Sequence, residues 1–177
     1  MKLSQLAHVL RAAAEISGEK TFVLVGSQAV LLAVEHPGAD LTMSDEIDMY
    51  PPNAPEKADA IDGSIGALSR FHDEFGYHAD GVSPETAAMP AGWMDRAGLH
   101  YFGDITAIVP DIHDLAVSKC AAMRDKDADF VRALFREGHL KLDLLEARLA
   151  LLDAPKFTVP TLLAWARRRS VEAGAPR

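Results

Sequence analysis

An α/β or α+β core carrying a C-terminal helical part is the fold class this sequence predicts, and three observations predict it. Short β-branched and aromatic runs alternate with amphipathic segments through the front two-thirds of the chain. From Ile112 onward almost every stretch has helical periodicity. The 177 residues are enough to bury a real core, and a composition 49% hydrophobic and 25% charged is that of an ordinary globular protein, not of a disordered or fibrous one.

Taken in order, Leu3, Leu6, Val9, Leu10, Ala13 and Ile16 recur at helical spacing and predict a helix over residues 3 to 17, with Ser4 and Gly18 as punctuation. Thr21 to Val25 reads as a buried strand ending at Gly26. A turn follows at once, then a helix from Ser27 to Glu35 that His36-Pro37-Gly38 stops. Glu46 to Tyr50 alternates acidic and apolar residues before Pro51-Pro52, as a strand with one polar edge does. A helix over residues 55 to 75, loosened by Gly63 and Gly66, turns Ile61, Ile65, Leu68, Phe71 and Phe75 inward.

Tyr77 to Val82 supplies a third strand, Pro84, Pro90 and Gly92 a connection before Trp93, and Tyr101 to Val109 a further strand. Helices are expected over 112 to 137, 140 to 152 and 160 to 173, with breaks at Gly138 and near Pro155. Pro160 suits the first turn of the last one, where its missing N–H is not needed. The division this implies is a core over residues 1 to 110 and a helical part over 111 to 177 packed on it.

The formal charge of −8 argues against a protein that grips nucleic acid over a broad basic surface. Arg167, Arg168 and Arg169 form the one dense basic run, either a solvated face of the last helix or a local RNA-facing patch. Cys120 is alone, which excludes a disulfide framework or a cysteine metal cluster, and it is expected in the core. Residues 1 to 18 lack the pattern of a leader and no stretch has the length of a membrane span, so a cytoplasmic protein without a membrane partner is expected.

His8, His36, His72, His100, His113 and His139 are scattered without His-x-x-x-His spacing, and surface or packing roles are expected for them. Trp93 and Trp165 are expected as core or interface aromatics rather than base-stacking platforms.

Two features carry chemistry. Gly26-Ser27 lies between a predicted strand and a helix, where free N–H groups suit phosphate; Gly26 lets backbone approach it closely, and Ser27 can cap the helix or donate to phosphate oxygen. In Glu46-Ile47-Asp48, residues two apart on a strand point the same way, so both carboxylates face one cleft while Ile47 enters the core. Mg²⁺ takes one or two protein carboxylates together with phosphates and water. Each feature alone is also what a simple cap or a solvated strand face presents.

Together, with "VGSQAVLLAVEHPG", "SDEIDMYP", "YHADGVSPETAAMPAGW" and "DLAVSKCAAMRDKDADFV", they resemble the nucleotidyltransferase superfamily motif, Gly-Ser followed some twenty residues later by acidic-x-Asp. Over roughly residues 20 to 135 the chain resembles small bacterial nucleotidyltransferases related to AbiE-type and MenT-type toxins. The resemblance implies a nucleotidyltransferase-fold mixed sheet flanked by helices. It implies that Gly26 and Ser27 hold a nucleoside triphosphate and that Glu46 and Asp48 bind Mg²⁺. Asp80 is then the candidate third carboxylate, both metal ligand and base for the attacking group.

Asp114 to Lys119 resembles a later motif of these relatives, in which a lysine reaches the nucleotide, so Lys119 is expected to offset triphosphate charge. Arg124, Lys126 and Asp127 follow their Arg-x-Lys-Asp pattern, and Asp127 joins the nucleotide-binding set. The implied acceptor is a tRNA end or a protein side chain, with a cognate antitoxin as possible partner. Glu46 replaces the usual first aspartate, and Thr42 and Met43 stand where an arginine is common. The alternative is a relative that keeps the fold and binds nucleotide or a partner without turnover; antibiotic nucleotidylation shares the same site.

Overall fold

The computed structural model describes residues 1–153 and 159–174. The chain divides into two compact units, residues 1–86 with 97–109, and residues 87–96 with 110 onward.

The first unit is built on a five-stranded mixed sheet. Its strands are β1 (Thr21–Val25), β2 (Glu46–Tyr50), β3 (His78–Gly81), β4 (Gly98–Phe102) and β5 (Ile105–Val109), in the order β3-β2-β1-β5-β4. β1 runs antiparallel to β2 and parallel to β5, while β2 and β3 are parallel and β4 and β5 antiparallel. β1 and β2 have the bounds their β-branched and alternating patterns predict.

The register sorts every side chain onto one of two faces. Phe22, Leu24, Ile47, Met49, Ala79, Ile105, Ala107 and Val109 share the apolar face, each 3% exposed or less. At ~25 cal/mol per Å² this face is the main source of the unit's stability. Helices α1 (Leu3–Ser17) and α3 (Ala58–Ile65) pack on each other, and α3 lies on this face: a Cβ at Gly81 would come within 1.9 Å of the Ala58 carbonyl oxygen. Glu46, Asp48, His78 and Asp80 point the other way.

Several elements differ from the sequence expectation. Lys2 is the N-cap of α1, its backbone N–H donating to Gln5 Oε1 at 2.7 Å, so Ser4 is not the cap; Gly18 does end the helix, in the left-handed conformation at φ 71°. The helix expected from Ser27 to Glu35 is one 3₁₀ turn, Ser27–Ala29, and a four-residue helix α2, Val30–Ala33. Val34 is already extended, and Pro37 disfavours a helical residue before it.

The helix expected over 55 to 75 is a 3₁₀ turn (Pro55–Lys57), α3, and a separate α4 (Arg70–Phe75). The break falls at extended Gly66, where a Cβ would lie 2.2 Å from the Asp62 carbonyl oxygen, and Ser69 caps the new helix by accepting from the His72 N–H. Leu68, expected inside, is 90% exposed at φ 64°, and Phe75 is 41% exposed. The strand expected from Tyr101 to Val109 is the β4–β5 hairpin, with Phe102 paired to Ile105 across Gly103-Asp104. A Gly-Asp pair between two apolar runs is a hairpin signal.

The second unit holds α5 (Trp93–Arg96), α6 (Ile112–Ala122), α7 (Asp125–Arg136), α8 (Leu142–Leu149) and α9 (Val159–Glu172). α6 packs on α7, α8 and α9. The helix expected over 112 to 137 breaks at Met123, left-handed at φ 52°, and α7 restarts at Asp125. Asp127 Oδ2 accepts from the Arg124 backbone N–H and closes the new first turn. The expected break near Pro155 lies outside the described residues. Pro160 stands in the first turn of α9. Cys120 is fully buried, and burial pushes its thiol up to about 12, which makes it a core residue without nucleophilic character. Among the described residues, no helix is long and apolar enough to cross a membrane.

The basic run of α9 is engaged in ion pairs. Arg167 donates to Glu146, Arg168 and Arg169 donate to Glu172, and the Arg169 guanidinium sits 4.9 Å from the centroid of half-buried Trp165. Glu172 also accepts from Arg132, and Arg132 and Arg169 chiefly hold its carboxyl down to about 2 from an ordinary value of 4.5. A lowered folded-state value means stability that is present above 4.5 and is lost as pH falls toward 2. Urea midpoints of wild type and Glu172→Gln are therefore expected to differ near neutral pH, to draw together below 4.5 and to converge only near pH 2. A gap that persists unchanged at the acid end would show that Glu172 stabilises through packing and not charge.

Candidate active site

The acidic face of the first unit is assembled by two strand pairings. In β2, alternation puts Glu46 and Asp48 on the same side; in the parallel β2–β3 register, Glu46 lies beside His78 and Asp48 beside Asp80. In the antiparallel β1–β2 register, Asp48 lies beside Val25, at the end of β1 where the chain turns. Gly26 makes that turn at φ 72°, ψ −172°, a region essentially reserved for glycine. An added Cβ there would lie 1.7 Å from Asp48 Oδ2, so the Asp48 carboxylate occupies the space above the glycine.

Ser27 opens the 3₁₀ turn and is half-buried. Two short turns do not build the aligned dipole of a long helix, so any phosphate affinity of this turn rests on its local backbone N–H groups. Gln28, 1% exposed, donates to the Leu41 carbonyl at 3.3 Å and pins this turn to the loop before β2.

Glu46, His78 and Asp80 each offer a ligand atom, and the three atoms lie within 4.8 Å of one another. His78 Nε2 is 3.3 Å from Asp80 Oδ1. Burial raises Asp80 above the ordinary carboxylate range; His78 opposes the rise, Glu46 and Asp62 add to it, and a hydrogen bond from the Ala67 backbone opposes it again. The donor set fits a divalent cation: two carboxylates that repel one another, plus the His78 imidazole, whose Nε2 faces Asp80. The other ring nitrogen, Nδ1, is buried with no hydrogen-bond partner among the described residues. His78 is the member that spacing rules missed. It is presented by strand register and not by a His-x-x-x-His helix, and its signal was alternation with Asp80 on an apolar strand.

Lys119 and Asp127 lie together in the second unit. Lys119 Nζ is 3.8 Å from Asp127 Oδ1 and 5.7 Å from the centroid of the Phe130 ring, and the two side chains are 8% and 2% exposed. Arg124 donates to Asp127 through Nε at 2.7 Å and Nη2 at 3.1 Å. Asp114, fully buried, accepts from Arg96 Nε at 2.8 Å and Nη2 at 3.1 Å, with Arg148 Nε at 3.3 Å. Arg96 and Arg148 drew no attention in the sequence, because neither sits near Asp114 along the chain.

A cavity of about 390 Å³ lies elsewhere in the first unit, among Pro55, Glu56, Asp59, Val82, Ser83 and Glu85. It contains none of the acidic-face residues, and its three carboxylates face a space without a basic group in its lining, so the glycine turn and acidic face are the better candidate.

Comparison with curated proteins returned no match, and neither did comparison with solved structures. The family model described as nucleotidyltransferase of unknown function (DUF6036) matches residues 2–160, nearly the whole chain, and the protein accordingly belongs to that family.

Proposed function

We propose that the protein is a Mg²⁺-dependent nucleotidyltransferase that moves a nucleoside monophosphate from a nucleoside triphosphate to an RNA or protein acceptor. The observation that carries this reading is the Asp48 carboxylate set directly over Gly26, with Glu46 and Asp80 on the same sheet face. In this reading the Gly26-Ser27 turn receives the triphosphate through backbone N–H groups and the serine hydroxyl, and Glu46 and Asp48 hold the cation. When bound, the cation neutralises charge on the phosphate oxygens.

Asp80 takes the proton of the attacking group. The new bond forms from the acceptor to the α-phosphorus as the bond from that phosphorus to the bridging oxygen breaks, and pyrophosphate leaves with the electron pair. Its raised proton affinity suits Asp80 to that task. A tRNA end is the acceptor to try first, on the resemblance to toxin transferases, and a cognate antitoxin is the corresponding protein partner.

Calorimetric titration with each triphosphate, with and without Mg²⁺, tests the site. Affinity is expected to rise at least about tenfold with the cation, because the carboxylates and phosphates repel without it. Equal affinity in both conditions would refute the arrangement. Incubation with labelled triphosphates and total tRNA or lysate then separates a transferase from a binding protein, since only the former transfers label.

A further inference from the structure

The acidic face carries a group that a purely oxygen-ligated Mg²⁺ site does not use. His78 lies in β3 beside Glu46 of β2, and its side chain is 10% exposed. One ring nitrogen faces Asp80 Oδ1 at 3.3 Å, and the other, Nδ1, is buried without a partner. A neutral imidazole has two tautomers. With the proton on Nε2, that nitrogen donates to Asp80, and the Nδ1 lone pair meets no donor. With the proton on Nδ1, the N–H is orphaned in the interior, and the Nε2 lone pair confronts a carboxylate oxygen. A cation among the three side chains relieves the second arrangement's repulsion, and equally the mutual repulsion of Glu46 and Asp80. Asp48, on the same face, is not part of this three-residue group.

We propose that Glu46, His78 and Asp80 form a site for a transition-metal ion of the Mn²⁺, Co²⁺ or Zn²⁺ class, distinct in preference from the Mg²⁺ that accompanies a nucleotide. Imidazole nitrogen is a good ligand for these ions and a poor one for Mg²⁺, which takes oxygen and keeps its waters. Two carboxylates and one histidine leave open positions for water or a phosphate oxygen. The site shares Glu46 and Asp80 with the proposed nucleotide site and rests on and deepens that reading, with Asp80 serving as a metal ligand when a transition ion is bound, but the metal preference can be measured without any nucleotide.

The competing arrangement is a metal-free ion pair of protonated His78 with Asp80. Protein stripped with chelator and titrated by calorimetry with Mg²⁺, Mn²⁺, Co²⁺ and Zn²⁺ chlorides is expected to bind the transition ions at least about tenfold more tightly than Mg²⁺. Pulsed electron paramagnetic resonance of the Mn²⁺-loaded protein is expected to show nitrogen coupling from a ligated imidazole. His78→Gln should abolish that coupling and weaken Mn²⁺ at least about tenfold while leaving Mg²⁺ affinity within about twofold. Circular dichroism checks that the variant folds, and the wild-type nitrogen coupling stands as a test even if it does not.

Mg²⁺ affinity equal to that of the transition ions, or no nitrogen coupling in wild type, overturns the proposal in favour of the ion pair. Transition-ion binding with no triphosphate binding in any condition would leave this site standing and remove the transferase reading. The reverse result would do the opposite.

Discussion

Replacing Asp48 by Asn is expected to lower nucleotidyl transfer at least about a hundredfold while the protein melts no lower than wild type. The amide keeps the shape of the side chain above Gly26 but removes the charge assigned to hold the cation. Loss of an outer partner of a metal ligand already costs about 10–100-fold, and a direct ligand belongs at or beyond the upper end of that range. Stability should not suffer, because Asp48 is half-buried beside Asp80, and neutralising one carboxylate of an acidic face relieves repulsion. Transfer of labelled nucleotide and a thermal melt, run side by side, read the two effects separately. Glu46→Asp serves as the companion variant and should keep or raise activity, since it restores the residue that the motif usually carries. An Asp48→Asn protein that transfers label as well as wild type would remove Asp48 from the proposed metal set.

The largest expected stability effect lies in the other unit, at Asp114. Its carboxylate is fully buried and receives two hydrogen bonds from Arg96 on α5, with Arg148 of α8 at 3.3 Å. Asp114→Ala removes the fully buried carboxylate that both guanidiniums face, leaving Arg96 with the lesser attraction of Asp111 and Asp95. Breaking a buried pair from one side costs about 3–5 kcal/mol. The arginine side chains are each 22% exposed and can turn partly to water, which places the expected loss nearer 3. For a protein of this size that is a fall in melting temperature on the order of 10 °C. Asp114→Asn, which keeps an acceptor for Arg96, should fall between. Chemical denaturation with a common m-value checks this, and an alanine variant within about 1 kcal/mol of wild type would mean that the network contributes no net stability.

β1, β2 and the span of α1 were legible in the sequence because their signals are local. An unbroken β-branched run, an alternating acidic strand and a 3.6-residue apolar period each depend only on neighbours within a few positions. The same alternation placed Glu46 and Asp48 on one side with Ile47 turned inward, and Ile47 is fully buried. The Gly26 turn was legible as well, but not the reason glycine is required there, which is a carboxylate from a strand some twenty residues away.

What only the tertiary structure decided is which distant residues share a face. That β3 pairs with β2 in parallel, in the register that sets His78 beside Glu46 and Asp80 beside Asp48, follows from sheet packing and the α3 crossover, for which a single sequence has no local cue. Likewise the left-handed Met123 that divides α6 from α7 lets Asp127 turn back onto Arg124 and Lys119. Periodicity alone runs straight through that point, because a helix break needs only one backbone angle to change and leaves the apolar pattern on either side intact. Local spacing determined which side chains could act; long-range strand pairing and buried ion pairs determined which of them meet.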